Sequence, residues 1–118
     1  MKHFYFLSSC DTCKRILKEL ELPNDFILQD IKNQPLSEKE LESLHLLSGS
    51  YEKLFSKRAR LYKERNLKDK KLSESDMKSL ILEHYTFLNR PIIVINQTIF
   101  IGNSTKTIMA AKEVLHEQ

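Results

Sequence analysis

The stretch HFYFLSSCDTCKRIL, residues 3–17, decides how this chain is read. Residues 3–7 are apolar on both faces, as in a central strand of a covered sheet. A helix follows, with Ile16, Leu17 and Leu20 on one face, and Pro23 is expected to stop it. The two cysteines of the chain, Cys10 and Cys13, both fall at the junction of these elements. DFILQDI, residues 25–31, then reads as a second strand, so the first third of the chain is a βαβ unit with a right-handed crossover.

A cysteine attacks as its thiolate, so its surroundings must lower a pKa of about 8.5. Unpaired backbone N–H groups and the positive end of the macrodipole do this at a helix N-terminus. Cys10 sits just before the first turn and receives both. Lys14 and Arg15 are expected to add positive charge one turn later. Cys13 lies one helical step further in, beside Ile16 and Leu17, and should be less exposed. A spacing of three at a helix start places the α-carbons within disulfide range. The chemistry assigns attack to Cys10 and resolution to Cys13. Two blander uses remain open: inert core thiols, and half of a zinc site. Zinc would need two more ligands, and His3, His45, His84 and His116 contain no H-x₃₋₅-H pair.

Further along, PLSEKELESLHLL carries a capping box from Ser37 and Glu40, with Gly49 ending the helix. The grammar recurs in LSESDMKSLILEHY through Ser73 and Asp76, after which Met77, Leu80, Ile81 and His84 keep helical spacing. Between them, YEKLFSKRARLYKERNL predicts one or two short helices bearing Leu54, Phe55 and Tyr62. RPIIVI, NQ and TIFI read as a hairpin, followed by Gly102 and a helix from about Ser104. Ile108, Met109, Ala111 and Leu115 are expected to form that helix's buried face. The order βαβ, helices, ββα predicts an α/β, thioredoxin-like fold with a mixed four-stranded sheet. It is read as one domain over residues 1–118 with a helical insertion at about 36–88.

Composition sets the class. The 118 residues are 41% hydrophobic and 30% charged, which suits a globular chain with a modest core. No apolar stretch approaches the roughly 20 residues of a membrane span. The apolar run after Met1 is too short for a signal peptide, which leads to an expected cytoplasmic location. Two cysteines in a reducing compartment point to chemistry rather than a structural bridge. The net charge of +3 permits an anionic partner, while the acids interleaved in SKRARLYKERNLKDKK argue against direct nucleic-acid binding. Pro91, at the entrance of a strand, cannot donate to the ladder and is compatible with the cis form.

Taken together, SSCDTCKRIL, LFSKRARLYKE and NRPIIVI resemble the arsenate reductase family of the thioredoxin-like fold, which also includes Spx-type transcription regulators. The resemblance covers nearly the whole chain. It implies that Cys10 attacks arsenate to form a thiol–arsenate adduct and that Thr12, Arg58 and Arg90 bind the oxyanion. Pro91 would be the fold's cis-proline facing the active cysteine. Lys57 and Arg60 compete with Arg58 for that place, and a solvated helix face is its plainer use. A tetrahedral oxyanion suits a helix N-terminus plus guanidinium groups. No bound cofactor or metal is expected; the redox group is the Cys10–Cys13 dithiol, regenerated by a thioredoxin- or glutaredoxin-type reductant. Two features depart from the reductases. They carry a further arginine after the last hairpin strand, where this chain has IFIGNSTKTI with only Lys106 nearby. Cys13 is absent from many glutathione-dependent reductases and present in Spx-type members. Those members sense oxidation through this disulfide and contact the RNA polymerase α subunit, using a glycine near the place of Gly49. Two functions therefore compete: a thiol–disulfide oxidoreductase acting on arsenate or a related oxidised substrate, and a redox-sensing regulator binding RNA polymerase.

Overall fold

The computed structural model describes residues 1–117. Its backbone resolves into two compact units, one built from residues 1–34 and the chain from Arg90 onward, the other from Pro35–Asn89.

The first unit holds the sheet. Strands β1 (Lys2–Phe6), β2 (Ile27–Asp30), β3 (Ile92–Ile95) and β4 (Thr98–Ile101) lie in the order β2-β1-β3-β4. β1 runs parallel to β2 and antiparallel to β3, and β3 and β4 form an antiparallel hairpin. The sheet is therefore mixed and four-stranded. Asn96 takes the left-handed conformation (φ 56°) that a tight hairpin turn requires. Helix α1 (Asp11–Leu20) follows β1, and α6 (Thr105–His116) closes the chain behind Ser104, whose hydroxyl accepts the Thr107 N–H.

Register selects the core. Phe4 opposes Ile93 and Ile93 opposes Phe100, so these side chains share one face of the sheet. Ile16 and Leu20 of α1 and Ile108 and Ala111 of α6 pack in the same cluster with Phe4, Ile93 and Ile95. Each large side chain buried there contributes about 1.5–3 kcal/mol. On the opposite face His3 stacks on Tyr5 at 4.0 Å, and its Nε2 lies 2.8 Å from Gln29 Oε1.

Two expectations change here. α1 ends because Glu21 turns left-handed (φ 49°), two residues before Pro23 could act. Met109 is 59% exposed and not part of the α6 buried face. One helical step of 100° from buried Ile108 carries it out of the cluster.

The second unit contains α2 (Glu38–Ser48), α3 (Tyr51–Leu54), α4 (Arg60–Glu64) and α5 (Glu74–Glu83). Both capping boxes form, Ser37 with Glu40 and Ser73 with Asp76. Gly49 (φ 90°) ends α2 and donates its N–H to the His45 carbonyl. Residues 51–67 divide into two short helices, then a 3₁₀ turn at Leu67–Asp69. His84, expected on the helical face of α5, lies beyond it with extended backbone. Its Nδ1 instead accepts the Thr86 N–H at 3.0 Å. Leu41, Leu44, Leu54, Phe55, Met77, Ile81 and Phe87 are buried in this unit.

Candidate active site

The turn from β1 into α1 is tied down before the first cysteine. The Cys10 N–H donates to the Leu7 carbonyl at 2.9 Å, and the Cys10 carbonyl accepts the Lys14 N–H at 3.1 Å. Cys10 is thus the N-cap residue, extended at φ −93° and ψ 113°. Its sulfur is half-exposed, whereas Cys13 is fully buried one turn in. Both are free thiols.

Partial burial works against ionisation of Cys10. It is outweighed by the Cys13 N–H, the Cys13 thiol donating to the Cys10 sulfur, the positive charge of Arg90 and the Thr12 N–H, so the Cys10 pKa is lowered. The charge that acts is Arg90, brought beside Cys10 by the fold. Lys14 and Arg15, its sequence neighbours, are exposed, and Arg15 pairs with Glu19 at 3.6 Å. Burial pushes the Cys13 thiol up to about 11, against a stabilising Leu7 N–H. The hydrogen bond to Cys10 and the Cys10 charge raise it further, and Arg90 opposes them. One sulfur is a poised nucleophile, and its neighbour is a proton-holding thiol within hydrogen-bond reach.

Arg90 is half-buried with its Nε enclosed. The Arg90–Pro91 peptide is cis, Pro91 is buried, and its carbonyl accepts the Gly102 N–H at 2.9 Å as β3 begins. Thr12 sits half-buried in the first turn of α1 and acts on Cys10 through its backbone. Arg58 belongs to the helical unit and is exposed; Lys57 there lies 3.8 Å from Glu52, and Arg60 lies 3.5 Å from Glu64. Among the described residues, no group of three or more His, Cys, Asp or Glu gathers to hold a metal.

Sequence reasoning passed over Asp30. From the end of β2 its carboxylate accepts the Ser8 hydroxyl at 2.5 Å and Ser8 N–H at 3.3 Å, together with Lys32 N–H and Asn33 Nδ2. Those bonds, the Ser8 hydroxyl foremost, hold its pKa below the ordinary carboxylate value against slight desolvation. Asp30 therefore fixes the turn two residues ahead of Cys10. The one local signal was an Asp followed at i+3 by Asn, a turn pattern at a strand end.

The model of the ArsC family matches residues 5–111, from β1 through most of α6. The chain belongs to the ArsC family. A relative from Streptococcus pneumoniae (strain ATCC BAA-255 / R6), named global transcriptional regulator Spx, is 31% identical over 89% of this chain and 81% of its own. The Spx of Bacillus subtilis (strain 168) is 28% identical over 86% and 79%. Among solved structures, an arsenate reductase from Vibrio cholerae superposes with a TM-score of 0.74 at 24% identity, covering 98% of this chain and 95% of that one. That likeness speaks for the thioredoxin-like fold of this ArsC family chain.

Proposed function

We propose that this ArsC family protein is a thiol–disulfide oxidoreductase that reduces arsenate or a related oxidised substrate. The observation that carries the reading is the pair of opposed pKa shifts at adjacent sulfurs, Cys10 lowered and Cys13 raised, beside the Arg90 guanidinium. The Cys10 thiolate attacks the arsenic of arsenate, an oxygen leaves as water after protonation, and an S–As bond forms. Arg90 and the N–H groups at Thr12 and Cys13 are the proposed donors to the oxyanion.

Adduct formation also prepares the second step. Once the Cys10 sulfur is covalently bound, it carries no charge and no longer accepts the Cys13 proton, so two influences that raise the Cys13 pKa disappear. Cys13 passes its proton to water or to an arsenic-bound oxygen and attacks the Cys10 sulfur. The S–S bond forms as the S–As bond breaks. Arsenic takes that electron pair and leaves as arsenite, so As(V) becomes As(III) while two thiols become one disulfide. A thioredoxin- or glutaredoxin-type dithiol then reduces the disulfide. The test is arsenate-dependent consumption of reducing equivalents in a coupled thioredoxin or glutaredoxin assay. Turnover should exceed that of Cys10→Ser by at least about a hundredfold. Equal rates would end the proposal.

The Spx-named relatives favour a second reading, in which the same disulfide switches a regulator that binds the RNA polymerase α subunit. Pull-down with that subunit, oxidised and reduced, separates the two. Binding in one redox state supports the regulator, and absence in both removes it.

A further inference from the structure

The segment from Lys57 to Lys71 lies in the helical unit, apart from the thiols, and is strongly basic. Its cations are not equivalent. Arg60 faces Glu64 at 3.5 Å, and Arg65 bonds Glu83 at 2.8 Å while lying 5.7 Å above the Phe87 ring. Among the described residues neither Lys63 nor Lys68 has a carboxylate at ion-pair distance, and Lys57 has only Glu52 at 3.8 Å. These three less compensated lysines line one cavity of about 440 Å³, together with Tyr62 and Asn66.

The backbone explains the convergence. After α4 the chain turns at Asn66, left-handed at φ 53° and ψ 39°, and enters the 3₁₀ turn at Leu67–Asp69. That reversal returns Lys68 to the cavity already lined by Lys63, while Lys57 comes from the segment ahead of α4. Tyr62 is half-buried, and its ring meets Phe55 edge-on at 5.9 Å, which fixes it as a wall. Among the described residues, no acidic side chain lines the cavity.

We propose that this cavity binds a nucleoside polyphosphate. Three lysines around one cavity, two of them without a carboxylate at ion-pair distance among the described residues, set a positive potential there that a multiply charged phosphate chain neutralises. Lysine serves phosphate as a point charge. A cavity in the range of about 300–1,000 Å³ suits a small organic ligand and is larger than one phosphate needs. The Tyr62 ring offers the base an aromatic surface, and the Asn66 amide offers its polar edge a donor and an acceptor.

Calorimetric titration of the full chain with ATP tests the site, with adenosine and tripolyphosphate as separate probes. ATP should bind saturably with one site per chain, tripolyphosphate more weakly, and adenosine not measurably. The exposed double substitution Lys63→Ala/Lys68→Ala should lower ATP affinity about tenfold or more at low salt. Tyr62→Leu should weaken ATP but not tripolyphosphate, and Cys10→Ser should bind ATP as the parent does. Amide shifts confined to residues 57–68 would locate the ligand. No saturable ATP binding up to about 1 mM overturns the proposal. So does a lysine double variant that binds ATP unchanged, or tripolyphosphate matching ATP with Tyr62→Leu silent. A single-stranded oligonucleotide bound far more tightly than ATP through the same lysines would also overturn it, in favour of a nucleic-acid groove.

Discussion

In the sheet unit, four strands of four or five residues are fixed by backbone ladders and by one apolar cluster that α1 and α6 share. In the helical unit, α3 and α4 have four and five residues, too short to be stable alone, and α3 is held at its ends by side chains. The Glu74 carboxylate reaches across 23 residues to accept the N–H of Tyr51 at 2.7 Å and of Glu52 at 3.0 Å, while Ser50 accepts from Lys53. Asn89 Nδ2 donates to the carbonyls of Lys53 and Phe55. A ladder sets the register of every residue along it, so the strand ends give a reactive group a fixed address. Side-chain caps fix one helix end at a time. The proposed chemistry sits at a strand-to-helix junction of the sheet unit, where Asp30 and the Leu7 carbonyl hold the turn.

Substitutions that attack each device should differ in size. Ile93→Ala removes a fully buried side chain between Phe4 and Phe100 and should cost about 2–5 kcal/mol in urea unfolding followed by circular dichroism. A loss below about 1 kcal/mol would mean that the cluster is not what holds the strands. Glu74→Ala leaves two N–H groups of α3 without their acceptor and should cost about 1–2 kcal/mol. Glu74→Gln, which keeps one acceptor oxygen, should cost less. Hydrogen exchange should accelerate at Tyr51 and Glu52 in the alanine variant; unchanged protection there would break the contrast.

The thiols provide a smaller effect with opposite signs at the two sulfurs. A lowered folded-state pKa makes the Cys10 thiolate stabilising as pH rises from that value towards about 8.5, with the full contribution present above it and lost as pH falls back through the folded pKa. The raised Cys13 pKa stabilises fully below the unfolded value, and this is lost as pH climbs through about 11. Iodoacetamide should therefore modify Cys10 alone at neutral pH, with a midpoint below that of a free thiol. Arg90→Gln removes the neighbouring positive charge, so the midpoint should rise and the rate at pH 7 should fall several-fold. An unmoved midpoint would show that the N–H groups and the Cys13 thiol suffice.

What the sequence disclosed followed from distance along the chain. Ser37 with Glu40, Ser73 with Asp76, and Gly49 act within one helical turn, and all three devices form as the local pattern implies. The element order βαβ, helices, ββα followed from apolar runs and connection lengths, and the strands and helices form in that sequence. Contacts made across twenty residues or more left at most a weak local trace. Asp30 with Ser8 and Glu74 with Tyr51 are of this kind, as is the Arg90 charge beside Cys10, whereas the Thr12 and Cys13 groups that act on the same sulfur are local. Sequence proximity suggested Lys14 and Arg15 as the charges near that sulfur; the cation that lowers its pKa is Arg90, which only the family resemblance marks as an oxyanion donor.

The smallest effect is expected at Met109 of α6. Ile108 and Met109 are adjacent, both apolar, and were read as one buried face, yet Ile108 is 5% exposed and Met109 is 59% exposed. Ile108→Ala empties a place in the Phe4–Ile93 cluster and should cost about 2–5 kcal/mol. Met109→Ala removes a mostly solvated side chain and gains helix propensity, so it should change stability by less than about 0.5 kcal/mol. Met109→Lys should be equally mild, because at that exposure the ammonium stays in water. A cost above about 1 kcal/mol for Met109→Lys, in urea unfolding under the same conditions, would mean that this side of the helix is covered in solution. Position 109 would then join the buried face on which its neighbour already lies.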